Sequence, residues 1–290
     1  MEISDQLSII LPAKNESANL AAHLNEIRTL YPMAELIVVN DGSEDDTGAI
    51  AEAAGARVIS HPYSMGNGAA IKSGARAASG KYLLFMDADG QHQPADISKL
   101  IEQLGHGFSM VIGAREPTSH ASRPRRVMNF LYNKIASIMT GFEIFDLTSG
   151  FRLVEARFFR QFLYLLPNGF SYPTTITMAF LRSGYPIKFI WIHARQREGK
   201  SNIRPLKDGI RFMLIILKVG ALFSPMRLFL PISAGIFTTG IAYYGFTYLT
   251  QGRFTNMSAV LFLAALIIFL IGIIGEQISS LHYQASQDRE

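Results

Sequence analysis

Lys81-Tyr-Leu-Leu-Phe-Met-Asp87-Ala-Asp89-Gly-Gln91-His92 is the stretch on which the reading of this 290-residue chain turns. Residues 81–86 form a β-rich apolar run that ends abruptly in two carboxylates one residue apart. A strand that delivers Asp87 and Asp89 at its carboxyl end suits a diphosphate held through Mg²⁺ or Mn²⁺. Hard cations take oxygen ligands and keep positions open for phosphate oxygens. Taken alone, the same residues also read as a solvated acidic turn.

Working outward, strand-like runs at 7–11, 35–40, 56–60, 81–87 and 109–114 alternate with helical stretches at 16–30, 44–54, 67–79 and 94–105. This alternation predicts an α/β fold with a mainly parallel sheet covered by helices on both faces, and ligands outside the carboxyl ends of its strands. Farther on, the pattern predicts helices at 124–140, 155–165 and 173–183, a loop over 146–152, and a strand at 187–194. Polar segments follow the first two strands as well. Pro12-Ala-Lys-Asn15-Glu16 places Asn15 or Ser17 to cap the next helix, and Ser43-x-x-Asp46 reads as a capping box. Asp41 stands where an acid after a strand hydrogen-bonds a base or ribose in other nucleotide folds. Gly66-Asn-Gly68-Ala-Ala-Ile71 begins like a dinucleotide fingerprint, but Ile71 replaces the third glycine and the segment follows the third strand. It reads instead as a flexible loop and helix start bordering the ligand edge of the sheet.

The absence of cysteine excludes disulfides, thiolate catalysis and Cys-ligated zinc. A net charge of +4 and a pI near 9.2 are compatible with nucleic acid or anionic lipid. Much of the excess lies beside an apolar C-terminal region and no nucleic-acid motif is present, so nucleic acid is not expected as a partner. Met1 to Gln6 carries two acids and no apolar run, so no cleaved leader is expected. Residues 205–225 predict an interfacial amphipathic helix that opens with Pro205, with Arg204, Lys207, Arg211 and Lys218 on one side. Residues 228–249 and 254–275 carry no charge and are each long enough to span a bilayer. Basic residues before the first span outnumber the single Arg253 between the spans, which predicts cytoplasmic ends and an outside loop.

The segments PAKNE (12–16), VVNDGSEDDT (38–47), GNGAA (66–70), DADGQH (87–92) and DLTSGFR (146–152) occur in order and at fitting intervals. Together they resemble the inverting glycosyltransferase family 2, which has a GT-A fold. Within it the chain looks most like the polyprenyl-phosphate branch, with its dolichol-phosphate mannosyl- and glucosyltransferases and bacterial relatives, over residues 7–204. The resemblance implies that Pro12, Asn15 and Glu16 line a nucleotide pocket and that Asp41 and Gly42 contact the nucleoside. It implies that Asp87, Asp89 and Gln91 bind the metal, with Asp87 also on the donor diphosphate, and that Arg115 lies beside the phosphates. It places Asp146, Ser149 and Arg152 near the acceptor. Arg197-Glu-Gly199-Lys200-Ser201 resembles a basic element that closes over the donor, with Ser201 on the acceptor side.

Two features qualify the match. Many members have an aromatic where Lys14 stands, which leaves the base-stacking contact open; the signature of processive synthases is absent, the one tryptophan being Trp191. The expectation is therefore transfer of a single hexose-type sugar from a UDP- or GDP-sugar to a polyprenyl phosphate. Asp89, Arg115, Arg152, Arg197 and Lys200 are the expected catalytic groups, Mg²⁺ or Mn²⁺ the cofactor, and no carboxylate base is expected. Residues 1–204 are expected as a cytoplasmic catalytic domain, 205–225 as the interfacial helix and 226–290 as two spans with a short cytoplasmic tail. This makes an integral protein of the inner or plasma membrane if the source is bacterial, in contact with membrane lipid. Gly235 and Gly240 are small residues that suit a homo-oligomer. The alternatives are a membrane-anchored nucleotide-sugar scaffold or sensor that does no chemistry, and a transferase with another lipid or glycan acceptor.

Overall fold

The computed structural model describes residues 3–116, 123–169, 171–193, 214, 217, 220–221 and 224–287. Seven strands form one sheet in the order β3-β2-β1-β4-β6-β5-β7. They are β1 Leu7–Ala13, β2 Glu35–Asn40, β3 Arg57–Ser60, β4 Tyr82–Phe85, β5 Met110–Arg115, β6 Arg152–Glu155 and β7 Ile187–Ile192. All neighbours pair in parallel except β6, which runs against both β4 and β5.

The apolar runs explain the layering. Side chains alternate between the faces of a strand. Leu7, Ile9 and Leu11 of β1 join Leu36 and Val38 of β2 on one face, under Leu20, Leu24 and Ile27 of α1 (Ser17–Leu30) and Leu100 and Leu104 of α4 (Ile97–Gly105). Ile10 and Val39 face the other way. There α3 (Asn67–Ala77) comes so close that a Cβ on Gly74 would stand 3.3 Å from Val39 Cγ2 and closer still to Ile10. Strands buried on both faces are uniformly apolar, as parallel sheets require. Helix α2 (Thr47–Ala53) joins β2 to β3; α5 (Arg123–Thr140), α6 (Ala156–Gln161) and α7 (Tyr172–Arg182) are further helices of the first 193 residues.

Strand β6 is the main departure from the expected order, since a loop was expected up to 152 and a helix from 155. Arg152 instead opens a strand in the middle of the sheet, opposite Phe85 of β4, and is 0 % exposed. Its guanidinium donates to the carbonyls of Ser149 and Pro173 and to Thr177 Oγ1, and lies over the Tyr172 ring at 5.7 Å. Burial lowers its pKa, while Tyr172, Asp146 and Asp87 act in the opposite direction.

The chain divides into two compact units, one of residues 1–134 with 143–209 and one of residues 135–142 with 210–290. The second contains α8 (Pro225–Gln251) and α9 (Asn256–Gln287), which pack on each other as a hairpin. Gly252, in the left-handed region at φ 62°, ends α8 by donating to Tyr248 O. Gly240 lies against Phe262, Gly272 against Phe229, and Ser233 Oγ donates to Ala265 O at 2.7 Å. Both helices are long and apolar enough to cross a membrane; α8 extends beyond the expected 228–249 at both ends, and α9 begins two residues later than the expected 254 and runs on past 275. Arg227 donates to Met139 O at 3.0 Å, placing a cation at the negative end of the α5 dipole.

Arg152→Ala will leave a cavity and take from the buried Ser149 carbonyl the guanidinium donor that holds it, while the Pro173 carbonyl keeps Thr177 Oγ1. Its unfolding free energy should fall by about 3 kcal/mol or more. Arg152→Lys should not restore it, because one ammonium cannot reproduce a planar fork. A wild-type midpoint for the alanine variant in a thermal or denaturant melt would refute this structural role.

Candidate active site

The sheet changes direction of winding between β1 and β4, so the crevice outside their carboxyl ends is where this architecture places ligands. The loops leaving β1 and β2 are laced together there. Asn15 is in the left-handed region at φ 54°, a conformation asparagine tolerates better than most residues. Its N–H donates to Ser43 Oγ at 3.0 Å, and its side-chain oxygen accepts from Glu44 N at 2.9 Å. Glu16 N donates to Thr47 Oγ1 and Ser17 N to Asp45 Oδ2. These bonds replace the expected caps. Glu16 is the N-cap of α1 and Asp46 that of α2, neither with a side-chain cap bond, because Ser43 bonds across to the neighbouring loop. Pro12, half-buried at the end of β1, lies in register with Val39.

Asp41 also differs from expectation. It is only 5 % exposed. Its two oxygens accept from His61 Nδ1 (2.7 Å), Ser64 Oγ (2.8 Å), Met65 N (2.8 Å) and Gly66 N (2.9 Å). A carboxylate has about four lone-pair sites, and these four donors occupy them, so that Asp41 organises the loop after β3. Burial raises its pKa, but these four donors outweigh it and hold the group below the usual range. His61 and Ser64 have no telling spacing in the sequence and were not anticipated.

Directly after β4, Ala88 is buried while Asp87 and Asp89 on either side of it are half-buried. Gly90, at φ 72°, turns the chain so that Gln91 N donates to Asp89 Oδ1 at 3.1 Å. Gly150 packs so closely that a Cβ there would stand 3.2 Å from both Asp87 oxygens. Arg115 closes the other side. It makes a two-pronged ion pair with Asp146 (2.8 and 3.0 Å) and donates to Thr148 Oγ1 at 2.7 Å. Burial alone would lower the Arg115 pKa, but Asp146 first, then Asp87 and Asp89, raise it. Burial likewise raises Asp146, and Arg115 more than reverses this. Ser149 is buried and donates to Gly113 O at 2.6 Å, so it holds the loop and does not present its hydroxyl outward. His92 stacks on Phe151 at 5.0 Å; burial pushes it down to about 4, against the pull of Asp89, so it is neutral at pH 7.

The structure thus brings together Asp87, Asp89, Gln91, Arg115 and Asp146 at one edge, with Arg152 buried behind them. Arg197, Lys200 and Ser201, and most of 205–225, lie outside the described residues. Among the described residues no group of three or more His, Cys, Asp or Glu could hold a metal. Asp87 and Asp89 are a donor set of oxygen ligands, the kind a hard cation takes when phosphate oxygens complete its shell. Gly66 and Gly68, expected in a flexible loop, serve close packing. A Cβ on Gly66 would stand 2.5 Å from Asn168 O, and one on Gly68 2.8 Å from Gly169 O.

Asp45, between the first two loops, offers a test of their lacing. Hydrogen bonds from Thr47 and then Ser17 lower its pKa from 3.8 to about 2. Because the folded value is depressed, its contribution is fully present above about pH 4 and is lost as the pH falls towards 2. Asp45→Asn should therefore lower stability at neutral pH and flatten the acid limb between these values. An acid profile identical to wild type in a thermal-shift series would count against the contact.

Residues 8–163 match the family described as Glycosyl transferase family 2, and residues 224–281 match the GtrB C-terminal hairpin. The glycosyltransferase AglJ of Haloferax volcanii is 24% identical over 97% of this chain and 96% of its own length. A dolichyl-phosphate hexose transferase of the same organism is 26% identical over 74% of this chain and 94% of its own. The polyprenol monophosphomannose synthase of Mycolicibacterium smegmatis is 26% identical over 66% and 77%. Among solved structures, glucosyl-3-phosphoglycerate synthase from Mycobacterium tuberculosis, in complex with Mn²⁺, UDP and glucosyl-3-phosphoglycerate, superposes with a TM-score of 0.60 at 24% identity. That alignment covers 74% of this chain and 79% of the synthase, a likeness of fold. With more than half its length matched, and a GT-A-like sheet carrying paired aspartates at the switch point, the chain belongs to glycosyl transferase family 2.

Proposed function

We propose that the protein is a membrane-anchored, metal-dependent inverting transferase that moves one hexose-type sugar from a UDP- or GDP-sugar to a polyprenyl phosphate. The observation that carries this reading is the meeting of Asp87 and Asp89 with the Arg115–Asp146 pair at the carboxyl edge of the sheet. The activities for which the dolichyl- and polyprenol-linked relatives are named support the acceptor, and the match across the C-terminal hairpin supports the anchor.

Asp87 and Asp89, with Gln91 beside them, would hold Mg²⁺ or Mn²⁺. A cation there supplies Lewis-acid stabilisation of charge on the departing diphosphate. In the transfer, an oxygen of the acceptor phosphate forms a bond to the anomeric carbon as the bond from that carbon to the donor diphosphate breaks, so the configuration inverts. A phosphate monoester is largely a dianion at neutral pH, its second pKa being about 6, and needs no general base. It needs cations to hold it. Arg115, locked by Asp146 with part of its side chain exposed, is one; Arg197 and Lys200, with Ser201, are assigned the same task by their motif. Arg152 acts indirectly, through the Ser149 carbonyl that it holds. The basic residues Arg204, Lys207, Arg211 and Lys218, against the single Arg253, support a cytoplasmic catalytic domain with the turn between the spans outside.

The test is a transfer assay in nanodiscs with polyprenyl phosphate, a panel of UDP- and GDP-sugars, and Mg²⁺ or Mn²⁺. A lipid-linked sugar should form with one donor and disappear with EDTA. Asp89→Asn should reduce the rate at least about a hundred-fold, the scale of a lost metal contribution. Nucleotide-sugar binding without product from any donor would point to a different acceptor or to a sensor.

A further inference from the structure

The loop that leaves β3 is pinned more firmly than a surface loop requires. Four donors from residues 61–66 converge on Asp41, and His61 N donates back to Asn40 O at 2.9 Å. The His61 imidazole is held at both nitrogens, with Nδ1 on Asp41 and Nε2 2.9 Å from Ser73 Oγ of α3. The loop also lies backbone to backbone on the turn after β2. A Cβ on Gly42 would stand 2.6 Å from both Ser64 N and the carbonyl carbon of Tyr63, so only glycine permits the approach.

What this fixed loop displays is a large aromatic in water. Tyr63 is 67 % exposed, and among the described residues it has neither a hydrogen-bond nor a ring partner. A lone exposed aromatic is ordinary. Here its backbone is clamped against the Asp41–Gly42 turn, one strand from the switch point, beside a first loop that carries Lys14. A nucleoside base needs a flat π face on which to stack, and a preset ring binds it with little ordering cost.

We infer that Tyr63 is the base-stacking residue of the donor site, on a loop that Asp41 and His61 hold in place. This rests on the proposed nucleotide-sugar donor and adds the residue that recognises its nucleoside. It also gives Asp41 a part in nucleotide binding without direct contact, since its carboxylate is filled by the loop. His61 is a positioning residue.

The inference is tested by calorimetric titration of the purified full chain in detergent with UDP, GDP and pyrophosphate, each with Mn²⁺. Pyrophosphate carries no base, so it separates stacking from a general effect on the phosphate site. Tyr63→Ala should weaken whichever nucleotide the wild type binds by about ten-fold or more, with pyrophosphate unchanged. Tyr63→Phe should retain nearly all of the affinity. His61→Ala should give the same base-dependent loss, and His61→Asn should recover much of it, because its amide N–H can again donate to Asp41. Unchanged nucleotide affinity in Tyr63→Ala would overturn the inference and leave the proposed function standing. So would an equal loss for nucleotide and pyrophosphate. A wild type that binds neither nucleotide would overturn both.

Discussion

Strand β6 runs against its neighbours, and the composition of the site follows from that reversal. In a parallel sheet each strand sends only its carboxyl end to the ligand edge. An antiparallel strand sends its amino end there. Pairing Phe85 with Arg152 sets Ser149, Gly150 and Arg152 beside the end of β4, where Asp87 and Asp89 emerge. Pairing Ile112 with Arg152 brings the same segment to β5, whose last residue is Arg115. Two stretches some sixty residues apart in sequence thus become one surface, so closely joined that position 150 admits no side chain without crowding Asp87.

The electrostatics of that surface bear on its ligand. Asp87, Asp89 and Asp146 face Arg115, whose charge is already engaged by Asp146. An edge with excess carboxylate repels a diphosphate or a phosphate monoester. A divalent cation on Asp87 and Asp89 would reverse that balance, since a hard cation takes carboxylate and phosphate oxygens together. The buried Arg152 adds a fixed positive charge behind the edge, held by carbonyls and a hydroxyl rather than by a carboxylate. Its position in the sheet interior makes it part of the frame that holds the loop before β6.

Most of the sheet was legible because parallel strands buried on both faces are written as unbroken apolar runs; the expected strands at 7–11, 35–40 and 109–114 differ from the observed ones by two residues or fewer. β6 was not legible. Arg-Leu-Val-Glu is four residues long, bounded by charges, and its arginine occupies a core position that no hydropathy pattern assigns to it. The caps failed for a related reason. Ser43 and Asn15 have the right chemistry for helix starts, but partners twenty-eight and twenty-nine residues away compete for it and win. Asp41 and Gly42 were recognisable as a turn of consequence, whereas what fills Asp41 arrives from a loop beyond the next strand. Gly66 and Gly68 suggested mobility, and their actual constraint is backbone a hundred residues later. In each case the residue type was visible and the partner was not.

The hairpin has a surface unlike that of the sheet domain. A long apolar helix in the core of a soluble protein is mostly covered, whereas the most apolar windows of α8 and α9 are only 11% and 17% buried. The polar side chains along the helices are bonded within the hairpin. Ser233 gives its proton to Ala265 O, and the threonine hydroxyls of α8 at 238, 239, 247 and 250 donate to carbonyls within their own helix. Such back-bonding removes a donor that lipid cannot satisfy. The acid of α9, Glu276, accepts from Met226 N at 3.4 Å, one of the amides that every helix start leaves without an internal partner. Its charge therefore sits at the positive end of the α8 dipole, one turn from Pro225, where the apolar stretch begins. The same residue that interrupts the hydrophobicity of α9 thus bonds the start of α8, and the short connection at 252–255 brings the other ends of the two helices together.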